Sequence, residues 1–278
     1  MSKDASTIKD SARGRFFVPL IVVSACIVAL CIFLGVFFTS NSQKSEEVLK
    51  GIAFLKERES AKADDAVARI REKKKENKAA QIDDLLEGLE DGSIDVWSLY
   101  DDSVILGDSR AEAIVEWGFL PAERVYAQKG ASVKYAAEGI DTVSSVYPDN
   151  LIFTYGVNDV DGNWSDVSKF IAAYEELVEA YKEKLPQANV FLCSVIPVMP
   201  AALEEDSNYE KIPEYTAAIK ELCEKKGYFY IDCDVLYDDY KELYEKEGVH
   251  FLKDMNPVWA KVMMEEVLKG EKELYGNN

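Results

Sequence analysis

Four short patterns hold the side chains that could do chemistry. Gly107-Asp-Ser-Arg110 sets a serine hydroxyl and its backbone N–H at the opening of a helix, the positive end of the helix dipole. Gln128-Lys-Gly130 offers a glycine, which either lets a backbone N–H approach a ligand or simply turns the chain. Gly156-Val-Asn-Asp159 brings an amide and a carboxylate into a turn. Glu247-Gly-Val-His250 contains the only histidine of the 278 residues, and imidazole, with an unperturbed pKa of about 6.5, suits proton exchange near neutrality. Singly, each pattern also has an ordinary structural reading as a helix cap or a turn.

The first three patterns each follow a short apolar, β-branched or aromatic run, at 103–106, 124–127 and 150–155, and two more such runs lie at 189–196 and 227–231. These read as five strands. Helix-period segments at 109–117, 165–184, 209–226 and 257–269 alternate with them. Such alternation predicts an α/β domain with a parallel sheet covered on both faces, whose ligand sites lie beyond the carboxyl ends of the strands. The three patterns fall at those ends.

In this order, Gly-Asp-Ser after the first strand, a glycine after the second, G-x-N-D after the third and a late acid-x-x-His resemble the SGNH/GDSL hydrolase family, over roughly residues 98–270. The GDSR opening and the V-H-F continuation look most like bacterial cell-surface members. The resemblance implies a three-layer α/β/α, flavodoxin-like domain of about five parallel strands that works as a serine ester hydrolase without a cofactor. It makes Ser109 the nucleophile and His250 its general base. The oxyanion hole would comprise the backbone N–H groups of Ser109 and Gly130 and the side-chain amide of Asn158. Where the family has aspartate, this chain has Glu247, one methylene longer. Glu247 is the expected acid that orients the imidazole, with a backbone carbonyl or Asp254 as alternatives. Arg110 and Trp164 are the candidate substrate contacts: Arg110 for pairing with a carboxylate or phosphate, with a solvent-facing helix position as the alternative, and Trp164 for stacking on a sugar face, with core packing as the alternative.

Outside the resemblance, residues 16–38 carry no charge and suffice, at about 1.5 Å per residue, to cross a hydrocarbon layer of roughly 30 Å. Basic Lys3, Lys9, Arg13 and Arg15 precede the run, which predicts a single-pass signal anchor with residues 1–15 cytoplasmic and the rest extracytoplasmic. The run is too long for a cleaved signal peptide and lacks its small-residue site. The lipoprotein-like Val23-Ser24-Ala25-Cys26 is followed by further apolar residues instead of a polar mature terminus. Residues 39–95 read as a charged helical spacer, with heptads too interrupted for a sustained coiled coil, and 96–278 as the hydrolase domain.

A formal charge of −19, nearly all of it beyond residue 95, with 48% hydrophobic residues excludes a basic nucleic-acid binder and a wholly disordered chain. Cys26 and Cys31 sit in the apolar run, and Cys193, Cys223 and Cys233 show no paired spacing, so neither a disulfide framework nor a zinc site is expected. The expected activity is removal of acetyl or other short acyl groups from carbohydrate or cell-wall glycan. Two alternatives remain: O-acyl transfer to an extracellular glycan with a membrane acyltransferase partner, and a non-catalytic glycan-binding protein.

Overall fold

The computed structural model describes residues 48–54, 56–58, 65–70, 72–73, 76–78, 80–160, 164 and 166–275. The apolar run at 16–38 lies outside them. Among the described residues no helix is long and apolar enough to cross a membrane. The chain divides into two units, Met1–Lys74 and Lys75–Asn278. The described residues of the first unit are helical, and their apolar side chains Val48, Leu49, Ile52, Phe54, Val67 and Ile70 are exposed.

In the second unit the helices are α1 (Ile82–Asp91), α2 (Ser109–Glu116), α3 (Val133–Ala136), α4 (Ile140–Ser145), α5 (Val167–Lys184), α6 (Pro200–Glu205), α7 (Ile212–Lys226), α8 (Asp234–Asp239) and α9 (Met255–Tyr275). The strands are β1 (Ser103–Gly107), β2 (Val125–Ala127), β3 (Asn150–Phe153), β4 (Asn189–Cys193) and β5 (Phe229–Ile231). All pairings are parallel, in the order β2-β1-β3-β4-β5. This is the flavodoxin-like order, and the strand sequence reverses direction at β1 and β3, where the crevice for a ligand opens.

The two-residue period of the strands sorts their side chains between two cores. Val104, Leu106, Leu151, Phe153, Val190 and Leu192 pack with residues of α3, α5 and α7, among them Phe170, Tyr174, Tyr181 and Ile219. Ile105, Ile152, Phe191, Cys193 and Ile231 face the other way, against Ile114 of α2 and Trp259, Met263 and Val267 of α9. Cys193, Cys223 and Cys233 are buried free thiols.

One boundary is corrected. The spacer was expected to run to residue 95, but α1 belongs to the folded unit. Ile82 and Leu89 are buried in the core beneath α9, with Leu85 and Leu86 packed beside them, and positions i, i+3, i+4 and i+7 form one apolar face. Just upstream, Lys78 Nζ lies 3.2 Å from Asp102 and 2.9 Å from Glu271. Glu271 also accepts from Asn150 Nδ2 at 3.0 Å, so this ion cluster closes the amino-terminal edge of the sheet. The opposite edge is left for the site.

Candidate active site

At the end of β1 the chain must pass between β3 and α2. A Cβ on Gly107 would stand 2.2 Å from Thr154 Oγ1 and 2.6 Å from Ala111 Cβ, so only glycine lets the turn close this tightly. Asp108 caps α2, its carboxylate accepting from the Arg110 N–H at 2.9 Å. The carboxyl is 1% exposed, and burial raises its pKa despite the opposing charge of Arg110. As the first residue of α2, Ser109 has an N–H with no intrahelical acceptor, at the positive end of the dipole.

The histidine arrives from 141 residues away in sequence, and its Nε2 lies 3.0 Å from Ser109 Oγ. Its Nδ1 lies 2.6 Å from Glu247 Oε1, which also accepts the His250 backbone N–H at 2.7 Å. The carboxylate is an acceptor only, so Nδ1 carries the proton and Nε2 accepts the serine hydroxyl. Burial works against ionisation of Glu247, but the two hydrogen bonds from His250 outweigh it and hold the carboxyl below its ordinary pKa. The longer glutamate reaches the ring because the same loop folds back on itself: Tyr244 and Phe251 form an antiparallel bridge, and Glu245 N–H donates to His250 O at 2.9 Å. A serine hydroxyl, an imidazole and a carboxylate in this chain can move a proton off the hydroxyl as it attacks an acyl carbon.

The loop after β3 meets the loop after β2. Asn158 Nδ2 donates to Ala131 O at 2.9 Å, and buried Asp159 accepts from Val133 N–H at 3.2 Å through each oxygen. This fastens the chain just beyond Gly130, whose φ of +73° is a left-handed conformation suited to glycine. The preceding residue, Lys129, lines a cleft of about 280 Å³ together with Ser109 and His250. The cleft therefore adjoins the serine, the histidine and the loop that carries Gly130.

Of the two candidate substrate contacts, Arg110 lines the cleft and Trp164 does not. Arg110 is 4% exposed and turned inward, with Nε donating to Val249 O at 2.8 Å and Nη1 to Ile196 O at 3.0 Å. It spends those donors on the fold, because α2 places position 110 against the loops after β4 and before α9. Trp164 donates from Nε1 to Asp159 at 2.7 Å and meets Phe170 edge-on, and Lys134 Nζ lies 4.3 Å from its ring centroid. Its polar edge and one face are thus engaged within the fold, and it does not line the cleft. Beside Ser109, Arg110, Lys129 and His250, the cleft wall includes residues the motifs did not point to, among them Glu112, Glu116, Trp117 and Glu245. A signal for two of them existed, since residues 109, 112, 113 and 116 share one face of a helix.

Residues 102–254 match the GDSL-like lipase/acylhydrolase family. No curated protein sequence matches the chain. Among solved structures, a GDSL-like lipase from Bacteroides thetaiotaomicron is 16% identical with a TM-score of 0.49, covering 63% of this chain and 89% of its own. The lipase/acylhydrolase from Enterococcus faecalis is 16% identical with a TM-score of 0.47, covering 60% and 96%. A carbohydrate esterase family 3 protein from Talaromyces cellulolyticus is 17% identical with a TM-score of 0.47, covering 62% and 98%.

Proposed function

The chain belongs to the GDSL-like lipase/acylhydrolase family, a serine ester hydrolase, and we propose that it is a membrane-anchored, extracytoplasmic esterase removing acetyl or similarly short acyl groups from carbohydrate. One observation carries the chemistry: Ser109 Oγ, His250 and Glu247 form a continuous chain of contacts of 3.0 and 2.6 Å at the carboxyl end of β1. In this reading Ser109 attacks the ester carbonyl while His250 Nε2 takes the hydroxyl proton. His250 then returns that proton to the sugar oxygen as its bond to the acyl carbon breaks, and water, attacking the acyl-Ser109 ester by the same proton path, frees the acid. Glu247 holds the ring and balances the imidazolium charge. The N–H groups of Ser109 and Gly130 and the Asn158 amide serve the oxyanion.

A short acyl group suits a cleft of about 280 Å³ whose wall includes Glu112, Glu116, Lys129 and Glu245, because a long alkyl chain would need a larger apolar surface. The same carboxylates, together with half-exposed Trp117, suit a polyhydroxylated alcohol, accepting hydroxyl hydrogen bonds beside an aromatic platform. Anchoring is supported by the uncharged run at 16–38 and the basic residues before it.

The test incubates the full chain with p-nitrophenyl acetate, acetylated oligosaccharides and a fluorophosphonate probe, beside Ser109→Ala and His250→Ala. Turnover and labelling should be lost in both variants. Full hydrolysis by Ser109→Ala would refute the mechanism. Protease accessibility in intact cells tests the side of the membrane.

A further inference from the structure

Three segments must meet for Ser109 and His250 to share a hydrogen bond: the start of α2, the loop after β4 and the loop 244–251. The last two are joined to each other by Met199 N–H donating to Gly248 O at 2.8 Å and by Tyr244 Oη donating to Pro197 O at 3.0 Å. Arg110 joins α2 to both. Its Nε reaches Val249 O, its Nη1 reaches Ile196 O, and its guanidinium lies 4.7 Å from the ring centroid of Phe251. Val249 and Phe251 are the residues on either side of His250. The residue directly after the serine therefore grips the chain on both sides of the histidine.

We propose that Arg110 is a positioning residue that sets the distance between Ser109 and His250 by binding the His250 loop and the loop after β4 with one guanidinium fork. The fork geometry is what makes it suitable. Two nitrogens held in one plane donate in fixed, divergent directions to two carbonyls, whereas a lysine ammonium is a point donor that cannot span both. The charge is accommodated in place: burial pushes the Arg110 pKa down, and the carboxylates of Asp108 and Glu247 are among the groups that oppose this. Arg110 thus acts through His250, without contact to the reacting atoms. The inference rests on the serine-hydrolase reading for its kinetic arm, and a second arm needs no turnover.

The experiment uses the full chain with Arg110→Lys and Arg110→Ala. On p-nitrophenyl acetate, Arg110→Lys should keep KM within about twofold and lose roughly 10- to 100-fold in kcat. Guanidinium ion at non-denaturing concentration should restore part of the Arg110→Ala rate, whereas an equal concentration of ammonium should not. Because His250 is the sole histidine, its ring gives a single set of 15N-edited NMR signals. These should report one Nδ1-protonated tautomer in the wild type and a mixture in Arg110→Lys. Unchanged kcat with unchanged ring signals in folded Arg110→Lys would overturn the proposal, and a rise in KM alone would return Arg110 to substrate binding. Absence of turnover in the wild type, with the tautomer still dependent on Arg110, would overturn the hydrolase reading and leave the positioning role standing.

Discussion

Replacing Glu247 with glutamine removes one charge and little volume, which isolates what the carboxylate does for the imidazole. In the proposed acyl transfer His250 becomes a cation in the transition state, and with Nδ1 and Oε1 2.6 Å apart the two charge centres lie roughly 4 Å from each other. At that separation the attraction is about 1 kcal/mol in bulk water and about 4 kcal/mol at the effective dielectric of a protein surface. The side chains of His250 and Glu247 are 40% and 37% exposed, so a middle value of about 2.5 kcal/mol applies, on the order of 100-fold in rate. Glu247→Gln should therefore lower kcat/KM for p-nitrophenyl acetate about 100-fold with KM little changed, measured by initial rates at pH 7.5. Glu247→Asp keeps the charge but withdraws it by about 1.5 Å, beyond hydrogen-bond reach, so its rate should fall between those of Gln and wild type. A Glu247→Gln enzyme within threefold of wild type would refute the reasoning and show that another group orients the ring.

The cleft wall bears Glu112, Glu116 and Glu245 against Lys129 and the buried Arg110, a remaining excess of carboxylate, so an ester of a cationic alcohol should be hydrolysed with higher kcat/KM than an anionic hemisuccinate ester. Changing the three glutamates to glutamine should compress that ratio about tenfold, and an unaltered ratio would exclude rim electrostatics from specificity. Asn158→Ala removes both a proposed oxyanion donor and the bond to Ala131 O, and kcat should drop by about 100-fold or more in steady-state assays. At the far edge of the sheet, Lys78 is desolvated by burial, but Asp102 and Glu271 outweigh this and raise its pKa above the ordinary value. A raised lysine pKa contributes stability that is fully present below the ordinary value of about 10.4 and is lost as pH rises through the folded-state value. Thermal melts should thus show an alkaline loss of stability that Lys78→Met abolishes, and at neutral pH the variant should be destabilised by about 2 kcal/mol.

Strand and helix periodicity made the sheet legible, because the apolar runs that end at Leu106, Ala127 and Ile231 are short, β-branched or aromatic, and bounded by turn residues. The short helices α3, α4, α6 and α8 carried no comparable signal, since four to six residues are too few to display a period. The amphipathic stripe of α1 was present at residues 82, 85, 86 and 89, but high charge on both sides made it read as part of the solvated spacer. Trp164 and Arg110 show the limit more sharply. Their types suggested ligand contacts, and nothing local revealed that Asp159 would take the indole N–H or that Val249 and Ile196 would take the guanidinium.

By itself the sequence determined which groups exist for chemistry, one histidine and one Gly-Asp-Ser turn among them, and the alternation that puts such turns at strand ends. Those are local properties, set by backbone propensity and by the period of apolar residues. The tertiary structure decided that Ser109 Oγ meets His250 Nε2, that glutamate suffices for the ring, and that Trp117 and not Trp164 borders the cleft. Each of these depends on how loops distant in sequence are seated against one another. Loop seating is governed by long-range packing and by hydrogen bonds such as those of Arg110, which no short window of residues encodes.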